Sequence, residues 1–107
     1  NQAIQHPLAV NWMELESAHL MVLKAATLYD AGKSCGAEAN SAKYLAAEAG
    51  LRACQRSVLT HGGMGYAREF HVERYLREIQ IPVIAPISQE LIKSFIAERV
   101  LDQPKSY

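Results

Sequence analysis

At 107 residues with formal charge zero, 11 Lys and Arg against 11 Asp and Glu, the chain is one domain with room for a single modest core. The interleaved charge argues against a nucleic-acid partner held through phosphates, and no apolar run approaches the ~20 residues of a membrane span. Two cysteines, Cys35 and Cys54, are too few and too far apart for a disulfide framework or a metal site.

Hydrophobic content is 50% but aromatic content only 7%, so the predicted core is built from Ala, Leu, Val and Ile, which suits close-packed helices. No signal-peptide pattern opens the chain, and the cysteine usage points to a reduced, intracellular setting. The start at Asn1 without an initiator Met reads as a fragment or a processed product.

The first helical pattern runs from about Gln2 to Tyr29. Leu8, Trp12, Leu15, His19, Val22, Ala26 and Tyr29 recur at steps of four and three and predict the buried stripe, with Glu14, Glu16, Lys24 and Asp30 outside it. Pro7 predicts either the helix start or a kink. Ala31-Gly32-Lys33-Ser34 is a glycine stop. A lone His19 on the stripe reads as a core or semi-buried residue, and Trp12 and Tyr29 as packing residues with polar tips.

The second pattern runs from about Ala37 to Thr60, with Ser34 as a candidate cap and Glu38 in the first turn. Ala39, Ala42, Ala46, Ala49 and Ala53 let neighbouring helices come close, while Lys43, Glu48 and Arg52 are expected to face outward. Glu48 and Arg52 are placed to pair at i,i+4. Gly50 predicts a helix crossing.

A glycine corner follows. Gly62, Gly63 and Gly65 are more than a single helix stop needs. Two readings stand: a stop plus a tight corner, or a main-chain surface that another group approaches closely. Phe70 to Glu78 reads as a short helix, with Glu73 and Arg77 placed to pair. Ile79 to Ile87, carrying Pro82 and Pro86, reads as a buried, extended connector. Ser88 is a good N-cap for a last helix, with Leu91, Ile92, Phe95, Ile96 and Val100 on its apolar face and Pro104 beyond it. The fold expected is all-α, an antiparallel up-down four-helix bundle spanning residues 1–107 as one domain, three helices long and one short.

The stretch HGGMGYAREFHVERYLRE also carries a family resemblance. Gly62, Gly63, Gly65, Tyr66, Glu69, Phe70, Val72, Arg74 and Arg77 fall at the spacing of the signature near the C-terminus of the acyl-CoA dehydrogenases, GG-x-GY, then Glu with Phe or Tyr, then V-x-R-x-x-RD; Glu78 replaces the usual Asp. NQAIQH resembles the family's Q-x-x-Q helix opening, and SQELIKSFIAERVL its last helix. The resemblance covers nearly the whole chain, as the C-terminal helical domain of a longer protein.

The resemblance implies an oxidoreductase that forms an α,β double bond in an acyl-CoA thioester, a carboxylate taking the α proton and FAD the β hydride. It implies a domain that packs on an N-terminal helical domain and a middle β domain and reaches the ADP part of a neighbouring subunit's FAD, in a homodimer or homotetramer. A mixed oligomer is a further possibility. Asn1 and Gln2 match the family pair at the opening helix, and Gly62 and Gly63 the glycines facing the adenine side. A usual glutamine three residues before the pair is Leu59. Ser88 and Gln89 fall where a hydroxyl and an amide serve the pyrophosphate at a helix N-terminus. Many members' catalytic glutamate falls on Pro86, which cannot take a proton. That leaves a base on a segment before this chain, a related flavin reaction without that glutamate, or a non-catalytic helical assembly subunit. A cytoplasmic site is implied, or a mitochondrial or peroxisomal matrix in a eukaryote.

His61 and His71 flank the corner; a ligand hydrogen bond from His61 is open, beside the plainer reading of a capping or surface residue. Cys54 reads as buried packing. A phosphate-cradling glycine loop is a weaker third reading, discounted because neither a preceding strand nor a following Lys-Ser/Thr is present.

Overall fold

A computed structural model describes residues 1–106. Five α-helices, α1 (Gln2–Asp30), α2 (Gly36–His61), α3 (Val72–Glu78), α4 (Gln80–Ile84) and α5 (Gln89–Arg99), are joined by short links, and no strand occurs among the described residues. The all-α class stands. The element count is not four: two long helices carry the fold, and the rest of the chain returns in three short ones.

The first helix starts on Asn1, whose side-chain oxygen accepts from Ala3 N at 2.9 Å, and runs through Pro7 without ending there. It stops where expected. Gly32 takes φ +66, its N–H donates to Tyr29 O, and the Lys33 N–H donates to Leu28 O, which satisfies the last carbonyls of the helix. The second helix begins after Cys35, not on a Ser34 cap.

Ion pairs set α1 and α2 antiparallel. Arg56 donates to Asn11 at 2.6 Å and Glu14 at 2.9 Å, Arg52 donates to Glu14 at 3.1 Å, and Lys24 pairs with Glu38 at 3.1 Å. Residues early in one helix meet residues late in the other. Arg52 also bonds Glu48 at 2.8 Å, as the spacing predicts, but the pair faces the α1 contact and not open solvent.

The remainder runs back along α2 in steps of about two turns. Gly65 packs on Val58, Ile79 on Gly50, the turn after α4 on Lys43, and Phe95 on Gly36. Gly50 is thus the predicted crossing point. The connector from Ile79 to Ile87 is neither extended nor fully buried. Pro82 sits in the first turn of α4, where a missing N–H costs nothing, and Ile81, Ile84 and Ile87 are exposed. Ser88 caps α5, accepting from Leu91 N at 3.3 Å.

The stripe predicted as buried on α1 is the main correction. Leu8, Trp12, Leu15, His19, Val22, Ala26 and Tyr29 are all exposed, Trp12 at 66% and Tyr29 at 75%. The face on α2 is one residue back: Pro7, Asn11, Glu14, Ala18, Met21, Ala25 and Leu28 are buried or half-buried. One residue is a rotation of about 100° around a helix. The fully buried core is small: Ala18, Ala42, Ala47, Ala49, Val72 and Ile92.

Candidate functional site

The corner after α2 is built from main chain. Gly62 ends the helix at φ +58 and ψ −137, a conformation that a side chain strains. Its N–H still donates to Leu59 O. The run Gly62–Tyr66 then tightens into a 3₁₀ turn, followed by a second over Arg68–Phe70.

The three glycines are there for different reasons. A Cβ on Gly65 would lie 2.4 Å from Val58 O, so only glycine lets the turn close on α2. Gly62 needs its backbone angle. Gly63 needs neither: its φ is not in the left-handed range and an added Cβ would meet nothing within 4 Å. Gly62 and Gly63 are both exposed, so the corner is a bare main-chain surface and is not packed beneath its own helices.

Asn1 and Gln2 lie at the same end of the hairpin, because Ala3, Ile4 and Pro7 line one groove with Arg56, Leu59 and Thr60. Asn1 spends its amide oxygen on the helix cap; Gln2 is exposed and has no hydrogen-bond partner among the described residues. His61 donates from Nδ1 to Ser57 O at 2.8 Å, and its ring tilts against Phe70 with centroids 6.1 Å apart. Behind the corner, Tyr66, Arg68, Leu76 and Gln80 help line a cleft of about 520 Å³.

Ser88 and Gln89 are elsewhere. The chain beside them is bonded to Lys43, 19 residues before Gly62 on α2, which puts roughly 28 Å of helix between the two groups. The Ser88 hydroxyl oxygen is used as a cap, and Gln89 Nε2 is shut off from solvent with no hydrogen-bond partner. The structure therefore brings Asn1, Gln2, Gly62 and Gly63 to one end and leaves Ser88 and Gln89 far along the bundle.

Pro86 is exposed. The neighbouring carboxylates each form an exposed local ion pair, Glu78 with Arg74 at 3.8 Å and Glu90 with Lys93 at 2.6 Å. Burial pushes the Cys54 thiol up, away from the reactive thiolate, which suits its packing role. No group of three or more His, Cys, Asp or Glu among the described residues could hold a metal ion, and no described helix is long and apolar enough to cross a membrane.

A helical hairpin ending in a bare glycine corner, with a segmented return along its second helix, belongs to a defined class. Residues 1–101 match the family model described as "Acyl-CoA dehydrogenase, C-terminal domain", and the chain belongs to the acyl-CoA dehydrogenase family. It is 45% identical over its whole length to the acyl-CoA dehydrogenase FadE12 of Mycobacterium tuberculosis, covering 28% of that protein. It is 38% identical to the mitochondrial short-chain specific acyl-CoA dehydrogenase of Bos taurus, over 99% of this chain and 25% of that one. A third relative, the 3-(aryl)acrylate reductase of Clostridium sporogenes, is 35% identical over 94% of this chain and 26% of its own. The chain thus spans about a quarter of the length of these relatives.

Proposed function

We propose that the chain is the C-terminal domain of an FAD-dependent acyl-CoA dehydrogenase-like oxidoreductase, and that its glycine corner receives the ADP end of a flavin held by a neighbouring subunit. Gly63 carries the reading: nothing in this fold requires glycine there, so the open space above its main chain is kept for a group from outside. Asn1 and Gln2, at the same end, offer amide groups to that ligand.

The flavin supplies the two-electron chemistry when bound; the protein supplies orientation and a base. Pro86 cannot accept a proton, and the carboxylate that takes the acyl α proton is read as coming from a segment outside this chain. Ser88 and Gln89 are too far from the corner to meet the same pyrophosphate. In a two-fold dimer they face a second flavin, and Gln89 has to swing outward to do so. Acyl-CoA is the substrate of the complete protein, and the exposed faces of α1 join this domain to the rest of its subunit and to its partners.

The test is Gly63→Val in the full-length protein. Flavin content is expected to fall at least tenfold with helical content unchanged. Retention of flavin at the level of the parent refutes the corner's role. A second reading, a related flavoenzyme working without the usual glutamate, draws on Pro86 and on the reductase among the relatives. Bleaching of the purified flavoprotein by saturated acyl-CoA supports dehydrogenation. Reoxidation of the reduced protein by an enoyl-CoA, with no bleaching by any saturated acyl-CoA, supports the reductase. A full-length protein that takes up no FAD is a non-catalytic assembly subunit.

A further inference from the structure

Lys43 lies in the second turn of α2 and is half-buried. Lys24 and Lys93 pair with carboxylates, but Lys43 forms no ion pair among the described residues. Its ammonium donates to two main-chain carbonyls, those of Pro82 and of Ile87, the second at 2.6 Å.

Both acceptors are groups that the local backbone cannot satisfy. Pro82 O belongs to the last turn of α4, and its helical donor would be the N–H of residue 86. That residue is proline and has none. Ile87 O stands just before Ser88, the N-cap of α5, and accepts no backbone N–H among the described residues. A cation is also the charge that the end of α4 favours. One side chain thus closes the turn between α4 and α5 from both sides and pins it to α2.

We infer that Lys43 is a positioning residue. By holding both ends of the 82–87 turn, it sets where residue 86 and the Ser88–Gln89 start of α5 stand. This rests on the flavoenzyme reading above for its effect on turnover, but the pinning itself does not. Met has nearly the length of Lys and no donor; Arg keeps the charge and the donors.

The experiment uses the full-length flavoprotein with Lys43→Met and Lys43→Arg, read by amide hydrogen exchange and by acyl-CoA-driven flavin reduction. For Lys43→Met, exchange at Ala85, whose N–H donates to Ile81 O, and at Leu91 and Ile92, whose N–H groups donate to Ser88, is expected to rise at least tenfold, while exchange near Gly62 stays at the parent level. Maximal turnover is expected to fall at least tenfold with a smaller change in KM, and Lys43→Arg is expected to recover most of it. Unchanged exchange at Ala85, Leu91 and Ile92 overturns the pinning. Raised exchange with unchanged turnover overturns the positioning role. If the unmodified parent shows no reaction with acyl-CoA, the flavoenzyme reading has failed, and exchange still decides the pinning. Should Lys43→Met not fold, Lys43→Leu, also without a donor, carries the same comparison.

Discussion

The glycine corner separates three demands that look alike in sequence. Gly65→Ala sets a Cβ against a main-chain carbonyl that cannot step aside, so a loss of about 2–3 kcal/mol is expected in thermal or denaturant unfolding. Gly63→Ala meets only open space and is expected to stay within about 0.5 kcal/mol of the parent. Equal losses for the two would show that the turn closes differently. Gln89 offers a further test. Its buried, unpartnered Nε2 is a cost that Gln89→Met removes, so stability is expected to hold or rise by up to about 1 kcal/mol. A drop of that size would mean the amide has a partner that matters.

Helices meet through charge as much as through apolar contact. Glu14 sits between two arginines of α2. The hydrogen bond from Arg56 holds its carboxyl below the ordinary 4.5, against burial that pushes it up, with Arg52 adding to the lowering. Lys24 holds Glu38 down in the same way on the opposite helix. A carboxyl lowered in the folded chain contributes stability that is present above its ordinary value and is lost as pH falls through the folded value. The α1–α2 hairpin is therefore expected to loosen as pH drops below about 4.5. Thermal unfolding between pH 6 and pH 3 should show a shallower acid decline for Glu14→Gln than for the parent, and parallel curves would remove Glu14 from the account.

The crossing at Gly50 makes an opposite kind of prediction. Gly50→Ala gains up to about 1 kcal/mol of helix propensity but meets Ile79 Cδ1 at 2.8 Å. Ile79→Val removes that methyl. Ile79 Cγ1, which Val keeps, lies 3.2 Å from the new Cβ, so Gly50→Ala is expected to be better tolerated in the Ile79→Val background than in the parent. Simple additivity in a denaturation cycle would mean the two residues do not touch.

As a whole, the molecule does not bury what its composition offers. Its radius of gyration is 16.5 Å, against about 13 Å for a compact domain of this length. Its accessible surface is 7634 Å², about 1,700 Å² more than the size scaling of monomers gives for 11.9 kDa. That excess is the size of a standard protein–protein interface. The exposed stripe on α1, with Leu8, Trp12, Leu15 and Val22, supplies part of it. Trp12 is the single tryptophan of this chain, so its fluorescence reports on that face. Emission of the monomeric chain is expected at the long wavelength of a solvated indole. Short-wavelength emission from a monomer would show the stripe buried in the chain's own fold.

The two long helices, the last helix and their local pairs were legible in the sequence because each depends on neighbours a few residues away; α4 was not, because Pro82 and Pro86 read as forbidding a helix that Pro82 can join in its first turn. Gly32, Ser88, the Glu48–Arg52 and Glu73–Arg77 pairs, and the glycine signature all act at that range. Which face of α1 turns inward was not legible. Two stripes one residue apart both fit helical spacing, and the richer apolar one is the exposed one. Only the tertiary structure decided that the polar Asn11 and Glu14 face α2 and that Lys43 spans to the α4–α5 turn. It also set Ser88 and Gln89 far from the corner, since those relations join residues 38 to 45 positions apart or depend on how α5 runs back along α2.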